Sequence, residues 1–121
     1  MKFFRYEEVM DLTGKRIQKR RWILFSCLYF QIIIHNILEN DLKVQHDHPW
    51  WNMSIVLWGE GTEFFPGGKR ALRLASVVIR KATDLHSIAI KRPLWTVFIT
   101  GKEIRDWGFM TKRGWIDARK Y

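Results

Sequence analysis

From Trp22 onward the sequence consists of short apolar runs separated by turn-forming residues, and this pattern restricts the possible folds more than any other feature. The runs are rich in Ile, Val, Phe, Tyr and Trp, which are typical of strands. Turn signals recur at 39–43, 59–61, 66–69, 81–84, 91–93 and 100–103. No segment after residue 21 repeats its apolar residues with a helical period. The sequence therefore predicts an all-β protein of short antiparallel strands, folded as a sandwich or a small barrel.

The first 21 residues have a different character. Segment 6–14, YEEVMDLTG, carries acids early and a glycine at its end, which predicts a short helix that Gly14 terminates. A basic segment follows at 15–21. Because a chain of 121 residues suits one hydrophobic core, we expect a single domain over 1–121. Its parts are the N-terminal helix and basic segment, at 1–21, and the β-barrel, at 22–115.

Neither export nor a membrane partner is indicated. Acidic residues interrupt the N-terminus where a signal peptide would be apolar. The longest apolar segment, 22–38, contains four polar residues and is shorter than the roughly 20 residues of a membrane span. The single cysteine, Cys27, cannot form an internal disulfide, which is compatible with a reducing compartment. The sequence thus predicts a cytoplasmic protein.

The formal net charge of +9 raises the rate of encounter with any polyanion. The densest basic cluster is GKRIQKRR at 14–21. No helix-turn-helix, zinc-finger or RNA-recognition motif accompanies this charge, so a basic surface exposed to solvent is the favoured interpretation. Nucleic acid remains a possible partner through that surface.

The segment HDHPWWN, at 46–52, places two histidines two residues apart. In a strand, residues 46 and 48 project to the same side. If that side faces inward, the inner row of a strand at 45–57 is His46, His48, Trp50, Asn52, Ser54 and Val56. Burying polar groups without partners costs about 1–3 kcal/mol each, and imidazole is the commonest metal ligand. The inner row therefore predicts a polar or charged group inside the barrel, and it favours a metal over a role for the two histidines as hydrogen-bonded strand residues.

The opposite row of the same strand is apolar. It consists of Trp51, Met53, Ile55 and Leu57. A patch of this kind needs cover, either from the N-terminal segment or from a second subunit. Because two-fold pairing is the commonest arrangement, we expect a homodimer.

These residues resemble the first motif of the cupins, small antiparallel jelly-roll barrels that hold a metal inside. The motif runs Gly, five residues, His-x-His, three or four residues, Glu, six residues, Gly. Here His46 and His48 occupy the histidine places and Gly59 occupies the final glycine place. The glutamate place holds Asn52, and the first glycine place holds Asn40. The first motif is therefore matched in part.

The second cupin motif runs Gly, five residues, Pro-x-Gly, two residues, His, three residues, Asn. With its histidine placed on His86, the other four places disagree. The order is nevertheless similar, because KATDLHSI has a turn followed by a strand that begins near the histidine. Segment 93–115 is also similar to the corresponding part of small uncharacterised cupin-like proteins of bacteria and phages.

The resemblance implies a jelly-roll barrel with a divalent metal held by His46, His48 and His86. Because Asn52 replaces the usual glutamate, the site resembles the three-histidine iron centre of the thiol dioxygenases. Fe(II) is thus favoured over Zn or Ni, a small-molecule ligand is expected in the barrel, and Asn52 and Trp50 are the candidate catalytic residues. Without a charged ligand, the metal would keep its full charge and prefer an anion or thiolate.

Other interpretations stay open. A sugar isomerase or epimerase is the competing cupin activity, and a non-enzymatic basic cupin would instead bind nucleic acid or a protein. Glu63 can supply a carboxylate, although an exposed charge is the favoured interpretation of it. His35 has no partner at ligand spacing, so we expect a structural role. The expected site is therefore three histidines beside Asn52 and Trp50.

Overall fold

The computed structural model describes residues 2–10, 14–40 and 45–120, and within them almost all regular secondary structure is β. The strands are β1 (Lys2–Met10), β2 (Ile17–Ser26), β3 (Gln31–Ile37), β4 (Asn52–Phe65), β5 (Gly68–Leu72), β6 (Val77–Arg80), β7 (Ser87–Thr100), β8 (Gly108–Thr111) and β9 (Gly114–Asp117). A single 3-10 turn, Ala118–Lys120, is the only helical element of the described residues. The predicted all-β class is confirmed.

Seven strands form one antiparallel sheet in the order β1-β2-β3-β7-β4-β5, and β6 pairs with β4 beside β5. Strands β8 and β9 form a separate hairpin. Inward side chains of β2, β3, β4 and β7 meet in two small clusters, one containing Val56 and Leu94 and the other Ile33 and Phe98. The curved sheet encloses these clusters, and the same concave face carries the polar groups described below.

The helix predicted at 6–14 is wrong where the structure describes the chain, because residues 2–10 form β1. Residues 11–13 of that segment lie outside the described residues. The strand is favoured because its acids lie opposite the basic segment, with Glu7 paired to Arg21 and Glu8 to Arg20. The basic segment accordingly belongs largely to β2, which begins at Ile17.

The two longest strands run through positions that the sequence marks as turns. β4 continues through 59–61 and β7 through 91–93, facing each other with three shifts in register. Gly59 permits this, because its φ is +93° and a Cβ there would overlap the carbonyl oxygen of Pro93. Each bulge changes which side chains face inward. Positions 52, 54 and 56 are buried before the bulges, whereas 61 and 63 are buried after them.

Other predicted turns fall where they were expected. Pro66 and Gly67 connect β4 to β5, and Gly67 has the positive φ of +96° that such a turn requires. The turn at 81–84 is closed by a hydrogen bond from the Lys81 amide to the Asp84 carboxylate. The turn at 39–43 lies mostly outside the described residues. Within the described part of the chain, no helix is long and apolar enough to span a membrane.

Candidate metal centre

His46 and His86 are brought together by the backbone. Each donates its amide to the carbonyl of the other, at 3.0 Å and 2.9 Å, which forms an isolated antiparallel bridge. The predicted regular strand over 45–57 is therefore wrong in its first half, since β4 begins only at Asn52. Residues 46–51 instead form an irregular segment that precedes β4. The His48 amide of this segment donates to the Ala82 carbonyl at 3.0 Å.

Asp47 anchors this irregular segment from the opposite side. Its buried carboxylate accepts hydrogen bonds from the Gly108 amide at 2.7 Å and from the Trp115 indole at 2.9 Å. Arg105 forms an ion pair with the same carboxylate at 3.0 Å and donates to the His48 carbonyl. In the His-Asp-His sequence, the two imidazoles thus point toward His86, and the Asp47 carboxylate between them binds the segment to the β8–β9 hairpin.

His46, His48 and His86 form one cluster, as predicted. One ring nitrogen from each lies within 4.8 Å of the others, and the two Nε2 atoms of His48 and His86 are 3.3 Å apart. Two nitrogens bound ~2.1 Å from one metal at near right angles lie about 3 Å apart, so this spacing fits shared ligation after small side-chain adjustments. The residues present therefore fit a divalent metal.

Glu63 determines which nitrogen of His86 faces the cluster. Its side chain is fully buried, and Oε1 lies 2.7 Å from His86 Nδ1. Burial raises the pKa of this carboxyl, but hydrogen bonds from His86 and Arg80 outweigh it and lower the pKa to about 2. An ionised carboxylate only accepts, so Nδ1 carries the proton and Nε2 is the ring nitrogen that faces the cluster.

Arg80 is the counter-ion of Glu63 and was missed in the sequence. It is 3% exposed, and its Nε donates to Glu63 Oε1 at 2.6 Å. Its NH1 group donates to Asn52 Oδ1 at 2.8 Å and to Ser54 Oγ at 2.9 Å. Arg70 adds a second guanidinium 3.2 Å from Glu63 Oε2. The prediction of Glu63 as an exposed charge is therefore wrong.

The two candidate catalytic residues lie in different surroundings. Trp50 lines the cavity beside the histidines, and its ring stacks on His48 with centroids 5.4 Å apart. Asn52 is fully buried and directs its oxygen to Arg80, and it is not among the residues that line the cavity. Hydrogen bonds link Asn52 to His86 through Arg80 and Glu63.

The three histidines open into a cavity of about 290 Å³ inside the barrel. Its walls combine apolar side chains of the core with polar side chains of β2, β3, β4 and β7. These polar side chains include Lys19, Arg21, His35, Ser54 and Thr96. This volume is at the lower end for small-molecule sites, which measure roughly 300–1,000 Å³. The cavity therefore suits a compact ligand that reaches the histidine cluster.

Two buried histidines make stability dependent on pH. Burial lowers the pKa of both His35 and His48, and the positive charges of Lys19 and Arg80 add to the effect. Both side chains therefore stay neutral in the folded protein at a pH where the unfolded chain, with a reference value near 6.5, binds protons. Their contribution to stability is complete above about pH 6.5 and is lost as the pH falls below it.

We expect the metal-free protein to lose about 1–3 kcal/mol of unfolding free energy between pH 7.5 and pH 5.5. Urea denaturation in the presence of a chelator measures this difference. The variant His35→Gln removes one of the two groups, so its loss over the same interval should be smaller. Equal stability of the wild type at pH 7.5 and pH 5.5 would contradict the lowered pKa of His35 and His48. Below about pH 4.5, protonation of Glu63 should add a further loss.

The comparisons with known proteins identify the fold. No protein-family profile and no curated protein matches the sequence. A cupin-2 domain from Rhodospirillum rubrum has a TM-score of 0.74 at 13% identity, over 92% of this chain and 78% of that one. A cupin superfamily protein from Desulfitobacterium hafniense has a TM-score of 0.62 at 21% identity, over 70% and 78%. The polyketide cyclase RemF from Streptomyces resistomycificus has a TM-score of 0.67 at 13% identity, over 78% and 72%.

These structures share the fold of this chain, so the predicted cupin-like fold is confirmed. At such low identities the similarity extends to the fold alone. The chemistry of the cavity therefore rests on this chain's own residues.

Proposed function

We propose that this cupin-like protein binds a divalent metal through His46, His48 and His86 and uses it on a small molecule held in the barrel. The observation that carries the proposal is the convergence of three imidazoles on one cavity, with one of them oriented by a buried carboxylate. Fe(II) is the favoured metal over Zn or Ni, and oxidation of the ligand by dioxygen is the favoured reaction. Three histidine ligands leave coordination positions open on the metal for the small molecule and for dioxygen.

Each residue has a distinct part in this proposal. The three histidines hold the metal, which supplies Lewis acidity and, as iron, redox chemistry. Glu63 keeps the proton of His86 on Nδ1, and Arg80 keeps Glu63 ionised. Trp50 covers His48 and limits the entry of water beside it. Asn52, a candidate catalytic residue from the sequence, accepts a hydrogen bond from Arg80 and so helps to hold that side chain.

The test is to purify the full chain without a histidine tag, measure its metal content, and refill it separately with iron, zinc and nickel. The iron form is then assayed for oxygen consumption with small thiols and small carboxylic acids. Binding of one metal per chain supports the site, and oxygen consumption that depends on iron and substrate supports the dioxygenase. A chain that never holds more than trace metal would refute the proposal.

We also propose that the protein is a homodimer paired through the outer face of β4 and β6. On that face Met53 lies opposite Ile79 and Ile55 opposite Val77, and Ile79 and Val77 are 70% and 56% exposed. Light scattering at micromolar concentration should therefore give twice the 14.6 kDa mass of one chain. The variant Ile79→Lys should give the monomer mass, and a monomeric wild type would refute the pairing.

A further inference from the structure

A polar row crosses the concave face of the sheet on the strands β2, β3 and β7. Arg21 lies directly opposite His35 across β2 and β3, and His35 lies opposite Thr96 across β3 and β7. Side chains directly opposite one another project to the same face, with Cβ atoms about 5 Å apart. All three line the 290 Å³ cavity. None of the three belongs to the histidine cluster of the metal site.

Two nitrogens of this row are buried and have no hydrogen-bond partner among the residues that the structure describes. His35 is 6% exposed, and its Nε2 is unpaired. The Nε of Arg21 is likewise buried and unpaired, while NH1 of the same group lies 4.0 Å from the Glu7 carboxylate, at the limit of an ion pair. Leaving such nitrogens unsatisfied costs about 1–3 kcal/mol each. A ligand oxygen would satisfy Arg21 Nε, which always donates, and His35 Nε2 in the tautomer that carries its proton there.

The charge of the cavity wall is positive. Lys19, Arg21 and Arg80 all line it, and among the described residues that line it there is no aspartate or glutamate. A divalent metal on the three histidines would add to this charge. Arg80 is already paired with Glu63. The Arg21 guanidinium, by contrast, meets the Glu7 carboxylate only at 4.0 Å. An anionic group beside Arg21 therefore fits the cavity better than a neutral one.

The rest of the wall limits the shape of the ligand. Phe98 contacts the rings of both His35 and His48, at centroid distances of 4.7 Å and 6.4 Å. The polar row and the metal cluster are therefore separated by little more than one ring. Apolar side chains line the space around them, among them Ile37, Val56, Ile88 and Leu94. A fully hydrated polyanion would leave these surfaces unmatched.

We propose that the cavity binds a compact carboxylate with an apolar body, and that Arg21 and His35 hold its carboxylate group. Arg21 contributes charge and a donor from Nε, and His35 donates from Nε2. The remainder of the molecule lies against the apolar wall and reaches toward the metal cluster. This inference rests on the proposed small-molecule function and gives its ligand a chemical class.

The experiment compares hexanoate with hexanamide, which differ in charge at one end and share the apolar body. Each is titrated into the full-length chain, once loaded with zinc and once with metal removed, and tryptophan fluorescence reports binding because Trp50 and Trp107 line the cavity. Metal content is measured in the same samples. Because the metal-free titration tests the polar row alone, its failure and the failure of the metal proposal are separable.

Hexanoate should bind the wild type at least about tenfold more tightly than hexanamide, in both forms. The variants Arg21→Gln and His35→Gln should each remove most of this preference while metal content stays unchanged. The matched control is Arg20→Gln, since Arg20 neighbours Arg21 on the same strand but does not line the cavity. It should keep the preference of the wild type within about twofold.

Three results would overturn the inference: equal binding of acid and amide by the wild type, an unchanged preference in both Arg21→Gln and His35→Gln, or binding of inorganic phosphate as tight as that of hexanoate. The last would mean that the apolar wall plays no part. Circular dichroism identifies any variant that does not fold. If Arg21→Gln is one of these, His35→Gln and the acid-to-amide ratio of the wild type still decide the question.

Discussion

Replacing His46, His48 or His86 by alanine should each reduce bound metal to less than about one-tenth of the wild-type amount after identical purification. A site with three protein ligands loses most of its affinity when one is removed, because the two that remain hold the ion no better than a surface pair does. Elemental analysis of the folded variants after refilling with iron or zinc measures this. Near-wild-type metal in all three variants would refute the site.

The matched control for this experiment is His35→Ala. His35 is also a buried histidine of the same cavity, but it lies outside the three-histidine cluster. This variant should retain its metal, which separates the loss of a ligand from the general effect of removing a buried imidazole. If only His86→Ala kept its metal, the third ligand would have to be sought at Glu63 or His35.

The parts of the site that the sequence could predict depend on local alternation. Because side chains in a strand alternate with a period of two, Asn52, Ser54 and Val56 could be assigned to one inner row, and all three are buried. The spacing of His46 and His48 likewise placed them together. His86 was chosen because the order of turn and strand around it resembles the second cupin motif, and the backbone bridge to His46 is the contact that brings it to the cluster.

The parts that could not be predicted depend on pairing between distant segments. The bulges of β4 are stabilised by β7, and they move Glu63 from the outer row to the inner one. Gly59 and Gly61 mark an irregularity in this segment, but residues 52–65 alone do not show that one strand continues through it. Arg80 ends a short strand of alternating exposure and becomes a buried counter-ion only because Glu63 arrives beside it. The N-terminal strand is similar, since its acids find their partners in β2.

The second large effect concerns this buried ion pair. Arg80→Met should lower the free energy of unfolding by about 3–5 kcal/mol, because it leaves the carboxylate of Glu63 buried without its closest cation. It also removes the donors to Asn52 and Ser54. Urea denaturation at pH 7.5 measures the change. The matched control is Arg70→Met, because Arg70 is an exposed partner of the same carboxylate and its loss should cost about 1 kcal/mol or less.

The double variant Arg80→Met with Glu63→Gln separates the lost charge pair from lost packing. Removing both charges should recover a large part of the stability, because an uncharged amide needs no buried cation. Metal affinity should not recover, since the amide introduced at position 63 can accept from His86 Nδ1 only as a neutral and weaker partner, and losing such an orienting carboxylate typically costs about 10- to 100-fold in affinity. A single variant Arg80→Met as stable as the wild type would mean that Arg70 alone neutralises Glu63. Full metal affinity in the double variant would mean that the carboxylate does not orient His86.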